Sequence, residues 1–187
     1  IVSSLQELGI TVIFDSSVEA LPSAVLSKQT LVVYTPAIPK NHPQFNFYIN
    51  QGNDVVKRAA LLGDLTRDTI CLAVAGTHGK TTTSSILGHL MYECNEKVTA
   101  FIGGITENYQ SNLIQNGTDI SVVEADEFDR SFLTLSPDFA CITSMDADHL
   151  DIYNSESDLI ETFKQFVQKI KPKGKLFIRK GLPLDGI

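Results

Sequence analysis

The stretch from Ile70 to Thr83, Ile-Cys-Leu-Ala-Val-Ala-Gly-Thr-His-Gly-Lys-Thr-Thr-Thr, constrains the fold of this chain more than any other. Its first six residues are apolar without interruption, the mark of a strand buried on both faces in a parallel sheet. The run stops at Gly76, and Gly76-Thr77-His78-Gly79-Lys80-Thr81 then supplies small residues, a lysine and a hydroxyl. Such a loop lets backbone amides approach a phosphate, with the lysine adding charge and the hydroxyl a metal ligand. A helix is predicted next, with Ile86, Leu87, Leu90, Met91 and Cys94 on its buried face. Strand, loop and helix N-terminus together form an anion site, because unpaired amides and the helix dipole point at the same place. Val74 stands where the stricter phosphate-loop pattern has its first glycine, so the loop is a shorter variant. A nucleoside triphosphate is the ligand these residues suit.

The flanking sequence predicts more α/β structure. Ile10 to Phe14 and Thr30 to Tyr34 read as β-branched strands whose connection makes a βαβ unit. Thr35-Pro36-Ala37-Ile38-Pro39-Lys40 leaves the second strand's carboxyl end, where open parallel sheets bind ligands; an equal reading is that the prolines only end the strand. His42 to Thr66 reads as helical, with Val55, Val56, Ala59, Ala60, Leu62 and Gly63 on one face. A domain boundary is placed at Arg67 to Thr69, dividing the chain into residues 1–67 and 68–187. Lys97 to Ile102 is a predicted strand with a break at Gly103-Gly104, and Asn116-Gly117 is a strong turn signal. Buried strands are expected at Ile120 to Val123 and Phe139 to Thr143. A helix capped by Ser155 or Ser157 follows, with Leu159, Ile160, Phe163, Phe166, Val167 and Ile170 on one stripe. It ends at Lys171-Pro172-Lys173-Gly174, whose lysines complement the helix dipole, and Lys175 to Ile178 is a final strand.

Two of these strands run into acidic clusters. After Val123 comes Glu124-Ala125-Asp126-Glu127-Phe128-Asp129-Arg130, and a carboxylate there faces the same crevice as the phosphate loop. Magnesium takes hard oxygen ligands, typically one or two carboxylates with waters and phosphates, which makes Glu124 the candidate ligand. Asp126, Glu127 and Asp129 read as solvated surface. After Thr143 comes Ser144-Met145-Asp146-Ala147-Asp148-His149-Leu150-Asp151, and a histidine among aspartates at a strand end suits a metal or a phosphate.

The net charge of −7 over 187 residues, with no run of lysine or arginine, argues against a nucleic-acid platform. No apolar stretch approaches bilayer thickness and no export signal is visible, so a cytoplasmic location is expected. Cys71, Cys94 and Cys141 each sit in apolar sequence and read as reduced core residues. The start at Ile1, with the helix-like Ser3 to Gly9, is expected for a piece of a longer chain.

Gly76-Thr77-His78-Gly79-Lys80-Thr81-Thr82-Thr83, Glu124-Ala125-Asp126-Glu127 and Asp148-His149-Leu150-Asp151 resemble, in order and spacing, the motifs of the Mur ligases of peptidoglycan synthesis. The resemblance covers essentially the whole chain. It implies a P-loop-type central ATPase domain, preceded by the end of a Rossmann-like domain that receives a UDP-linked substrate. It also implies that ATP phosphorylates the carboxylate of UDP-N-acetylmuramate and that the amine of L-alanine displaces the phosphate. Phe128-Asp129-Arg130-Ser131-Phe132-Leu133 resembles the alanine-adding branch; a recycling branch that joins a peptide to the same sugar nucleotide is the alternative. Outside the family, a P-loop kinase or a plain nucleotide-binding module stays open. By resemblance, Gly76, Thr77, His78, Gly79, Lys80, Thr81 and Thr82 hold ATP, and Lys80, Glu124 and His149 are catalytic. Mg2+ falls to Thr81, Glu124 and His149, with Asp126 and Asp148 behind them. A chain ending at Ile187 is expected to lack the amino-acid domain and not to complete ligation alone.

Overall fold

A computed structural model describes residues 2–146, 153 and 155–184. The chain forms two compact units, Ile1–Leu61 and Leu62–Ile187.

The first unit carries α1 (Val2–Glu7), a 3-10 turn at Ser23–Val25, β1 (Val32–Tyr34), α2 (Pro43–Gln51) and β2 (Val55–Lys57). β1 and β2 pair in parallel, Val32 opposite Val55 and Tyr34 opposite Lys57. The βαβ unit is therefore β1-α2-β2, one element later than the sequence pattern suggests. Ile10 to Phe14 forms no strand, and Phe14 is 82% exposed. Its polar link to β1 is instead held to α2 by side chains: Gln44 donates to the Asp15 and Ser17 carbonyls, and Tyr48 donates to the Val25 carbonyl. The helix expected across His42 to Thr66 is likewise interrupted. Gly52 ends α2 with a left-handed φ of 75°, and the β-branched pair Val55-Val56 enters β2 before α3 (Arg58–Thr66) begins. Thr35 to Lys40 leaves the carboxyl end of β1 as a turn.

The second unit is a six-stranded sheet built from β3 (Ile70–Ala75), β4 (Val98–Thr106), β5 (Ser111–Gln115), β6 (Ile120–Glu124), β7 (Phe139–Ile142) and β8 (Lys175–Ile178). Their order is β5-β4-β6-β3-β7-β8, parallel throughout except for the antiparallel β4–β5 edge. β3 lies in the interior between β6 and β7, which is why its sequence is apolar on both faces. Cys71, Ala73 and Ala75 join the core on one side, where α5 (Glu156–Gln168) contributes Leu159, Phe163 and Phe166. Phe132 stacks on Phe166, ring centroids 4.6 Å apart, and meets Phe163 edge-on. The opposite side, with Val98, Ala100, Ile114 and Val122, is met by Leu87 and Met91 of α4 (Lys80–Glu93).

Four local expectations change. The buried positions of α4 are Ser84 and Gly88, while Ile86 and Leu90 are more than half exposed and Cys94 lies at the surface. The cause is close packing: a Cβ on Gly88 would sit 2.7 Å from that of Ala100, so the helix approaches the sheet on its smallest residues. Gly103-Gly104 does not break β4, which continues to Thr106 with a register irregularity against β5. Lys171 serves not the dipole of α5 but a polar lock: its Nζ donates to Asp138 Oδ2 at 2.9 Å and to the Arg67 and Thr69 carbonyls. Asp138 Oδ2 also accepts the Cys71 amide. Glu127, expected in solvent, is buried.

Candidate functional site

The loop from Gly76 to Gly79 lies where β3 meets α4, at the carboxyl end of an interior strand of the sheet. Gly76 adopts φ 135°, and a Cβ there would collide with Thr143 Oγ1 and fall 2.9 Å from the Ser144 amide. Only glycine fits this passage beside the end of β7. The Thr77 amide donates to the Ser144 carbonyl, and the His78 amide donates to Ser144 Oγ at 2.7 Å. Thr77 is buried, its hydroxyl shared with Ser144 Oγ and accepting the Asp146 amide at 2.9 Å. Thr143 Oγ1 donates to the His78 carbonyl. The first half of the loop is thus tied to Thr143, Ser144 and Asp146, residues the sequence pattern treats as a separate motif. Lys80, Thr81 and Thr82 form the first turn of α4, where a helix does not satisfy its amides within itself. Gly79, left-handed at φ 78°, turns the chain into that helix.

Lys80 reaches back across the loop. Its Nζ donates to the Gly76 carbonyl at 2.7 Å and pairs with Glu127, 2.8 Å to Oε2 and 3.0 Å to Oε1. Glu127 is 2% exposed. One turn along, Thr81 Oγ1 donates to Glu124 Oε1 at 2.8 Å, and Glu124 Oε2 accepts the Gly103 amide at 2.6 Å. β6 carries Glu124 at its last position, opposite Val74 of β3, so strand register brings the carboxylate beside the loop. Asp126 is exposed and accepts the Phe128 amide, and Asp129 is also exposed. His78 Nε2 lies 3.8 Å from Asp146 Oδ2 at the loop's outer rim.

Segment 124–134 is anchored on both sides. The Tyr153 hydroxyl donates to the Glu127 carbonyl at 2.6 Å, and Arg130 Nη2 donates to both carboxylate oxygens of Asp158, at 2.8 and 3.0 Å. Asp129 and Arg130 both hold positive φ, 51° and 55°. Burial, with Glu127 nearby, pushes the Tyr153 phenol up to about 12.

Of the expected site residues, Glu124 is brought to the Gly76 to Thr82 loop through Thr81, and Asp148 and His149 lie outside the described residues. Glu127 and Ser144 were missed. Glu127 stands three residues after Glu124, a spacing that cannot separate an inward from a solvated carboxylate in irregular backbone. Thr81 and Glu124 present hard oxygens side by side, the donor chemistry magnesium prefers. Among the described residues no group of three His, Cys, Asp or Glu side chains is arranged to hold a metal by itself, so phosphate oxygens and water would complete such a shell.

The pattern of the Mur ligase middle domain matches residues 74–183. The UDP-N-acetylmuramate--L-alanine ligase of Flavobacterium psychrophilum is 56% identical over 185 residues, which are 99% of this chain and 41% of that protein. That of Christiangramia forsetii is 56% identical over 184 residues, again 41% of its length. The chain thus spans about two fifths of the curated relatives it matches. Among solved structures, a UDP-N-acetylmuramate:L-alanyl-gamma-D-glutamyl-meso-diaminopimelate ligase from Neisseria superposes with a TM-score of 0.84 at 22% identity, covering 97% of this chain and 60% of the other. The UDP-N-acetylmuramate-alanine ligase of Thermotoga maritima gives 0.76 at 24%, covering 95% and 44%. These structures share the fold, and the middle-domain pattern, spanning more than half of the sequence, establishes that the chain belongs to the Mur ligase family.

Proposed function

We propose that this chain is the ATP-binding part, with the end of the UDP-substrate domain, of a ligase that joins L-alanine to UDP-N-acetylmuramate. The observation that carries the reading is the convergence of Lys80, Thr81 and Glu124 on one loop at the end of β3. Relatives bearing the alanine-ligase name over nearly the whole chain support the substrate pair. In this reading residues 1–67 are the end of the domain that receives the sugar nucleotide and residues 68–187 hold ATP.

The chemistry follows from the residues. The amides at the start of α4 and the Lys80 ammonium hold the β- and γ-phosphates and stabilise charge as the γ-phosphoryl group moves to the muramoyl carboxylate. Thr81 and Glu124 would hold Mg2+, which when bound neutralises phosphate charge. His149 is assigned a second metal or the acyl phosphate, with Asp148 and Asp126 behind. L-alanine's amine then attacks the acyl carbon and phosphate leaves, forming the amide. No described helix is long and apolar enough to cross a membrane.

Grafting this chain in place of the matching 185 residues of the Flavobacterium psychrophilum ligase tests the reading. L-alanine-dependent release of ADP with UDP-N-acetylmuramate is expected. A folded chimera that prefers a peptide amine, or phosphorylates a hydroxyl, contradicts it.

A further inference from the structure

Lys80 has work in the proposed nucleotide site and Glu127 has none there, yet among the described residues Glu127 is the most deeply buried carboxylate around the loop. Its oxygens lie 2.8 and 3.0 Å from Lys80 Nζ. An ammonium has three N–H donors. The Gly76 carbonyl, at 2.7 Å, takes one and Glu127 another, which fixes the side chain at two points across the loop and leaves one donor for a phosphate oxygen. Being 2% exposed, Glu127 engages the ammonium from within the protein, while the Lys80 side chain keeps 13% of its surface exposed. Its own backbone is fixed, because its carbonyl accepts the buried Tyr153 hydroxyl at 2.6 Å.

We propose that Glu127 is a positioning residue for Lys80: the Glu127–Lys80 pair holds the ammonium preorganised over the loop, so that phosphate meets a charge already in place. A flexible lysine loses much rotamer freedom when it is fixed, and a partner that fixes it beforehand removes that cost from binding. The proposal rests on the nucleotide reading above.

The test is a double-mutant cycle read by calorimetric titration of the chain with ADP and Mg2+. Glu127→Ala is expected to weaken ADP binding on the order of tenfold, and Glu127→Gln, which keeps one acceptor, by a smaller factor. In the Lys80→Ala background neither substitution should weaken binding further, because nothing is left to position. Equal losses in both backgrounds would show that Glu127 merely supports the fold, and unchanged or tighter binding in the single variants would show that it restrains the lysine; either overturns the proposal. If Glu127→Ala fails to fold by circular dichroism, the near-isosteric Glu127→Gln decides alone by the same comparison. Undetectable binding by the unsubstituted, folded chain contradicts the nucleotide reading and the proposal with it, a result distinct from binding that is insensitive to Glu127.

Discussion

Glu124 and Gly103 sit so close that the Gly103 amide donates to Glu124 Oε2 at 2.6 Å, while a Cβ on Gly103 would lie 2.6 to 2.8 Å from the carboxylate. The glycine is thus a space reserved for the acid. Gly103→Ala should push Glu124 off Thr81 and weaken Mg2+-dependent nucleotide binding by about tenfold, while changing the unfolding temperature little because the site lies at the sheet's rim. Titration with and without Mg2+ checks this; an unchanged Mg2+ dependence would sever Glu124 from the metal.

Gly76 faces a different constraint. Its φ of 135° and the collision that any Cβ there would make with Thr143 Oγ1 combine backbone strain with overpacking. Gly76→Ala should cost about 3 kcal/mol, a fall of roughly 10 °C in Tm for a chain of this size. A shift within about 2 °C would show that the loop relaxes easily.

The cysteines should separate by reactivity. Burial raises the Cys71 thiol to about 11 and also raises Cys141, whereas Cys94 is exposed. Only thiolate reacts, so at about pH 8 a thiol reagent should label Cys94 first and Cys71 only on unfolding. Mass spectrometry of the labelled peptides reads the order, and early labelling of Cys71 would contradict the burial of β3.

Tyr153 sets an alkaline limit. Its phenol titrates near 10 when unfolded and at about 12 when folded. The folded state therefore keeps a proton that the unfolded state releases, so the contribution is intact below about pH 10 and is lost as pH rises towards 12. The loss amounts to about 2 to 3 kcal/mol. Tyr153→Phe removes the bond to the Glu127 carbonyl, costing about 1 kcal/mol at neutral pH, but should flatten the decline between about pH 10 and 12. Denaturant unfolding at several pH values gives both slopes; identical slopes would refute the assignment.

What was legible in the sequence follows from how local each signal is. β3, β6, β7 and α5 were readable because burial on both faces, or on one stripe, writes itself into consecutive residues. The loop was readable because its glycines and Lys80 are adjacent in the chain. Ile10 to Phe14 misled because β-branched composition marks fitness for a sheet and not the presence of a strand to pair with. Val55-Val56 was absorbed into a helix because the 3.6-residue pattern passes through it, whereas Gly52 had already ended α2. The Lys80–Glu127 and Ser144–His78 contacts join residues 47 and 66 positions apart, and nothing local announces them. Lys171 illustrates the same limit: a lysine just past a helix fits the dipole, and only the fold shows that Asp138 claims it.

In the proposed function Lys80 and Glu124 hold a magnesium nucleotide at the end of β3. Calorimetric titration of the chain with a non-hydrolysable ATP analogue and Mg2+, beside Lys80→Ala and Glu124→Ala, tests it most directly. Saturable binding by the unsubstituted chain, weakened by both substitutions, is expected, with the Glu124 variant losing its Mg2+ dependence. Binding that neither substitution alters, or none at all by a folded chain, would contradict the proposed function.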